Sequence, residues 1–139
     1  MTLKKTVRDC SEGKARFVDK RTHPVVRRIA RNLSEIDAIR TVKVTRGFLA
    51  ASSETYGSRR NPVTKPGHPT AVGISLILEE ERKEIQFYEV TSAVKGYGSR
   101  MVAAVMNALP KEWMAYVLMD WSDGFWATMR KRHRQIALL

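Results

Sequence analysis

Residues 84–109 read EIQFYEVTSAVKGYGSRMVAAVMNAL, and the fold turns on how this stretch is divided. Residues 84–92, EIQFYEVTS, carry β-branched and aromatic residues in a pattern that predicts a strand. Gly96 and Gly98 follow in VKGYGSR, and glycines at such a place let a chain turn sharply and approach a ligand closely. Met101, Val102, Val105, Met106 and Leu109 then recur at helical spacing, and Pro110 stops the helix. A short apolar run, Ala115 to Met119, predicts another strand, so strand, helix and strand follow in order. Such a run requires a parallel pair, because only a crossover connection brings the second strand back in the same direction.

The junction is also where chemistry is expected. A helix opens with unpaired N–H groups and the positive end of its dipole, which together cradle a diphosphate. Lys95 and Arg100 add charge beside it. A bare G-x-G marks a turn more often than a ligand site. No GK[ST] follows, so it is not the phosphate loop of the nucleotide hydrolases, and the third glycine of the dinucleotide fingerprint is missing.

VKGYG followed by an apolar helix resembles the acetyl-CoA loop of the GNAT N-acetyltransferases, above all their histone-acetylating branch. The segment 84–92 is similar to that branch's fourth strand, and 116–131 to its fifth strand and following helix with one residue inserted. The likeness spans roughly residues 71–134, about half of the chain, and the N-terminal half agrees in element order alone. It implies a single α/β domain over 1–139, with a mixed central sheet, splayed parallel strands, flanking helices and a truncated C-terminal hairpin. It also implies an acetyl-CoA-dependent enzyme that acetylates an amine. The pantetheine arm would lie between the splayed strands against the backbone of Val90 to Ser92. The diphosphate would lie on Val94, Lys95, Gly96, Tyr97, Gly98, Ser99 and Arg100. The family's strand-four glutamate, which takes the proton of the incoming ammonium, falls on Glu84 by local match, with Glu89 as the second candidate.

The departures are specific. The family loop runs [Q/R]-x-x-G-x-[G/A], and Ala93 stands at its first position. The segment between Ser92 and Val94 is two residues shorter than in such relatives, so counting back from the glycines puts the glutamate's slot on Arg82. The tyrosine that protonates the departing thiolate in many GNATs falls on Met129 or Arg130, and neither Ser122 nor Asp123 replaces it convincingly. Residues 136–139 suffice for one short strand, not a hairpin.

Working outward, AVGISLILE (71–79) predicts a strand joined to 84–92 by the polar bridge Glu80 to Lys83. Residues 51–70 hold glycines, prolines and small polar residues without periodicity, and read as a long loop, usually functional or mobile. VKVTRGFLA (42–50) reads as one half-buried strand with Val42, Val44, Phe48 and Ala50 on one side. Val26, Ile29, Leu33 and Ile36 predict a helix from Pro24, capped by Thr22 or His23, with Asn32 and Ser34 as the place where it divides into two. Residues 15–19 read as a short strand, and 122–134 as a helix with Ser122 at its N-cap and a basic end that suits its dipole.

The composition sets outer bounds. The chain has 139 residues, 43% hydrophobic and 28% charged, the balance of a globular domain. One cysteine, Cys10, excludes an internal disulfide framework and suggests a reducing compartment. No apolar run reaches the roughly 18–20 residues of a membrane span, and the basic N-terminus lacks the apolar stretch of a secretory signal. A cytoplasmic protein without membrane partners is expected. His23, His68 and His133 are too scattered for a metal site. The formal net charge is +11, and thirteen of the twenty-five lysines and arginines lie in residues 1–50 against five acidic residues. Such a field draws polyanions. The amine acceptor is therefore expected on a protein or a nucleic-acid-associated molecule: a lysine side chain, an N-terminus, an aminoacyl-tRNA or a small amine. The rival expectation is a catalytically inactive GNAT-like protein that docks on nucleic acid or a host protein. A third, an unrelated DNA-binding domain using Val25 to Arg40 as its recognition helix, lacks any helix-turn-helix mark. Of the three tryptophans, Trp113, Trp121 and Trp126, packing is the expected role rather than base stacking.

Overall fold

The computed structural model describes residues 6–9, 22–117 and 124–138. It is an α/β structure. Seven strands form one mixed sheet in the order β1 (Thr6–Asp9), β2 (Thr41–Thr45), β3 (Phe48–Ser52), β6 (Val72–Glu79), β7 (Glu84–Ser92), β8 (Met114–Val117) and β9 (Ile136–Leu138). A separate two-stranded ribbon, β4 (Thr55–Tyr56) with β5 (Asn61–Pro62), lies in the long segment between β3 and β6. The helices are α1 (Pro24–Ser34), α2 (Tyr97–Ala108) and α3 (Phe125–Arg132). The β7–β8 and β8–β9 pairs are parallel and the others antiparallel. Among the described residues one strand, β9, follows α3.

The register separates two faces of the sheet. Val44, Leu49, Leu76, Phe87 and Val117 stand in one row across five strands, and Leu78, Ile85, Ala115 and Ile136 in the next. All are buried, and they join the buried sides of α1 and α2 and the α3 residues Trp126 and Met129 in one apolar cluster. Trp126 packs its ring 4.8 Å from that of Phe87. His23 caps α1, its Nδ1 accepting from the Val25 amide at 3.1 Å, and Pro24 occupies the first turn. The helix does not divide at Asn32. That side chain donates to the Ala104 carbonyl at 2.9 Å and so ties α1 to α2, and Ser34 is the last helical residue.

Two further expectations are corrected. Residues 42–50 are not one strand but the hairpin β2–β3, because Gly47 takes φ +76° and Arg46-Gly47 reverses the chain. Val42 and Val44 therefore share their face with Leu49 and Ala51, while Phe48 and Ala50 point to the opposite one. The third helix is capped at Gly124 and begins at Phe125, later than expected; Ser122 lies outside the described residues, as do Trp121 and residues 15–19. The described strand nearest the N-terminus is β1, which no pattern suggested.

The sheet's second face carries no helix among the described residues. A strap, residues 53–70, crosses it, and Gly73 marks how closely. A Cβ there would collide with the Val63 carbonyl oxygen and press on Ser52 Oγ at 3.0 Å and the Ala51 carbonyl oxygen at 3.1 Å. Gly73→Ala is expected to cost about 1–3 kcal/mol by overpacking, read as a lower urea midpoint with an unchanged m-value.

Candidate functional site: a groove beside strand β7

The parallel ladder joins Glu84, Ile85, Gln86 and Phe87 to Met114, Ala115, Tyr116 and Val117. Beyond Phe87, β7 continues for five residues with no β8 partner among the described residues. A β-bulge follows the last of these pairs. Opposite β6, Ser75 pairs with Glu89 and Leu76 with Phe87, which leaves Tyr88 as the extra residue. A bulge bends its strand and raises the local twist, and Tyr88 is turned outward, 55% exposed, with its ring edge-on to Phe48.

A groove of about 340 Å³ opens beside this part of β7. Phe87 to Val90 and Ser92 line it together with Phe125 and Trp126 of α3, Gly98 of α2 and Pro66-Gly67 of the strap. Gly98 is closely packed: a Cβ would sit 3.1 Å from the Phe125 ring and 3.9 Å from Val90 Cγ1, so the ring would have to give way. The strand-to-helix turn above the groove, Ala93 to Gly96, is exposed, and Gly96 adopts φ +95°, in the left-handed region that glycine enters at no steric cost. The Ala93 amide is bound to the Ala71 carbonyl at 3.0 Å, and the Arg100 amide to the Gly96 carbonyl at 3.2 Å. As in any first helical turn, the amides of Gly98 and Ser99 have no carbonyl behind them to bond. Ser92 Oγ donates to the Val94 carbonyl, which firms the turn.

Of the residues expected to hold a cofactor, Val90, Ser92 and Gly98 line the groove, and Val94, Lys95 and Gly96 lie on the exposed turn above it. Tyr97 and Arg100 are directed elsewhere. The Tyr97 hydroxyl donates to both carboxylate oxygens of Asp37 at 2.9 Å, Arg100 Nη1 lies 3.3 Å from Asp37 Oδ1, and the guanidinium stacks 4.8 Å from the Tyr97 ring centre. This trio clamps the start of α2 to the turn after α1. It holds the Asp37 carboxyl below its ordinary value of 3.8. The Tyr97 hydrogen bond is the largest cause; desolvation opposes it, and the Arg100 charge and Ala38 amide reinforce it.

The two candidate glutamates are placed differently. Glu84 sits at the closed end of the ladder, between Glu79 and Met114, and does not line the groove. Glu89 does line it, and Thr64 Oγ1 donates to Glu89 Oε1 at 2.8 Å. The slot of the missing tyrosine is filled by Met129, which is buried in the core, and Arg130, which is exposed. Sequence reasoning missed Tyr88, Phe125, Trp126 and the strap as walls of the groove. The signal available was the glycine at position 98, whose lack of a side chain admits Phe125. His68 has a local role, its Nδ1 accepting from the amides of Thr70 at 3.2 Å and Ala71 at 3.0 Å. No group of three potential metal ligands occurs among the described residues. None of their helices is long and apolar enough to cross a membrane. No protein-family model, no curated protein and no solved structure matches this chain.

Because the Asp37 carboxyl is depressed, it binds fewer protons folded than unfolded. Its stabilising contribution is present above the ordinary value of 3.8 and is lost as pH falls through the lower folded value. Asp37→Asn removes that dependence. In melting curves taken across acid pH, wild type is expected to lose its advantage over the variant as pH falls below 3.8.

Proposed function

We propose that this chain is an N-acetyltransferase of GNAT type that uses acetyl-CoA and acetylates a primary amine. The observation that supports the reading best is the groove beside the second half of β7, which is lined by Gly98 at the start of α2 and by a carboxylate, Glu89. In this reading the finer fold is that of a GNAT domain. The diphosphate lies on the turn from Val94 to Ser99 with Lys95 beside it. The pantetheine arm lies against the backbone of Val90 to Ser92, and its thioester reaches toward Tyr88 and Glu89. Apolar walls from Phe87, Phe125 and Trp126 keep water from the arm.

Glu89, not Glu84, is the base of this proposal, because it is the glutamate on the groove. Its carboxylate accepts the proton of the incoming ammonium. The neutral nitrogen attacks the thioester carbonyl carbon, the C–N bond forms and the C–S bond breaks. The nitrogen gives its second proton to water as the amide forms, and coenzyme A leaves as a thiolate that takes a proton from water, since Met129 is buried and Arg130 is no general acid at neutral pH. The rival reading, a basic binding protein without turnover, draws on the +11 charge and on the absence of a tyrosine in that slot.

Two readings of one experiment separate these. Acetyl-CoA at a hundred times its Kd is expected to add about 2.7 kcal/mol of stability, a rise of several degrees in Tm. With amine present, thiol release is expected, and Glu89→Gln is expected to lower kcat by about 10²–10⁴ while keeping the Tm rise. No stabilisation by acetyl-CoA overturns the coenzyme assignment. Stabilisation without thiol release across a panel of amines favours the binding protein.

A further inference from the structure

The sheet's second face holds a cavity that the coenzyme reading leaves unused. Lys43, Ala50, Ser75 and Glu89 are consecutive partners across β2, β3, β6 and β7, so they form one row on that face. The strap fastens both ends of the row. Lys43 Nζ donates to Asn61 Oδ1 and, at 3.5 Å, to the Arg59 carbonyl. Thr64 Oγ1 donates to Glu89 Oε1 at 2.8 Å. Between strap and sheet is a cavity of about 350 Å³, bordered by Phe48, Ala50, Tyr56, Pro62, Lys43 and Glu89. Its size falls in the range of about 300–1,000 Å³ typical of small-molecule sites. Glu89 lines both this cavity and the groove.

The lining selects by charge. Lys43 is already engaged by the strap, so the cavity holds no cation waiting for an anionic ligand. Glu89 is different. Thr64 bonds one of its two oxygens, and an ionised carboxyl accepts at about four lone-pair sites, so a further donor has a place. Glu89 is also the one acidic residue that borders the cavity among the described residues. A ligand with one ammonium finds its counter-charge there, whereas a second ammonium would be desolvated with none, which is unfavourable. Phe48 and Ala50 of the sheet and Tyr56 and Pro62 of the strap present apolar surface to the rest of the ligand. Tyr56 is 61% exposed, so its ring has area left to bury.

We propose that this cavity is the acceptor site and that the acceptor is a small primary monoamine with an uncharged, apolar body. Its ammonium lies at Glu89 and its body against Phe48 and Tyr56. The inference rests on the acetyltransferase reading, and it replaces the macromolecular acceptor that the surface charge suggests. An acceptor held this way places its nitrogen at the carboxylate that also lines the groove, where the thioester of that reading arrives.

Binding measured without coenzyme tests the site apart from the reaction. The probes are hexylamine, hexan-1-ol, which lacks the cation, 1,6-diaminohexane, which adds a second, and 6-aminohexanoate, which adds an anion. Calorimetry gives the affinities, and amide shifts of ¹⁵N-labelled protein give the place. Wild type is expected to bind hexylamine at least about tenfold more tightly than the other three, the worth of one hydrogen bond to a charged group. Saturation is expected to move the amides of Phe48, Ala50 and Tyr56 and to leave Phe125 and Trp126 unmoved. Glu89→Gln is expected to abolish the preference over hexan-1-ol. Tyr56→Ala, at an exposed position, is expected to weaken hexylamine about fivefold. Four results with wild type, which need no variant to fold, overturn the proposal. They are equal or tighter binding of any of the other three probes, tighter binding of a lysine-containing peptide with both ends blocked, shifts confined to Phe125 and Trp126, and no saturation by about 10 mM, ten times the upper end of ordinary KM values. The Tm response to acetyl-CoA reports on the coenzyme site alone, so either reading can fail without the other.

Discussion

The structure depends on the close packing of a glycine-led helix start against strand β7. The described ladder of β7 to β8 joins Glu84 to Phe87 with Met114 to Val117, and the groove lies beside the residues of β7 that follow. Three local features shape that groove. The bulge at Tyr88 bends β7, the left-handed Gly96 starts α2 immediately above it, and Gly98 admits the Phe125 ring. Each is a steric condition rather than a strong bond. The helix start is then anchored from behind by Asp37, which takes both Tyr97 and Arg100.

The two faces of the sheet divide the work. The helical face holds the apolar cluster, where burial supplies about 25 cal/mol per Å² of apolar area removed from water. The other face is polar in its middle, with Thr41, Lys43, Ser52, Ser75 and Thr91 all buried. Burying such groups is unfavourable unless they are bonded. The strap supplies several of the bonds: Asn61 for Lys43, Thr64 for Ser75 and Glu89, and the Val72 amide to Ser53 Oγ at 2.9 Å. A segment that reads as a featureless loop is thus fixed to the sheet at both charged ends of one row.

Much of this was legible in the sequence, and the misses have physical causes. The β6–β7 hairpin, its polar bridge, helix α2 with its apolar face and the Pro24 start of α1 follow from periodicity and turn chemistry. The β2–β3 hairpin was hidden because Val42, Val44, Phe48 and Ala50 keep a period of two across the turn, although the chain reverses at Arg46-Gly47. The choice between Glu84 and Glu89 turned on a feature that periodicity does not carry. An unbroken β7 would put Glu84 and Glu89 on opposite faces, but the extra residue at Tyr88 brings both to the open one. Phe125 and Trp126 line the groove only through long-range packing, which no local pattern encodes.

The central claim is that the opening beside β7 receives a coenzyme whose diphosphate rests on the glycine turn. The most direct measurement is a titration of ¹⁵N-labelled protein with acetyl-CoA, followed by amide chemical shifts. The account predicts saturable shifts concentrated at Val90 to Ser99 and at Phe125 and Trp126, with α1 and the β2–β3 hairpin unmoved. Saturation that perturbs other parts of the chain and leaves Gly96 and Gly98 unchanged would contradict it, as would no shift at any concentration.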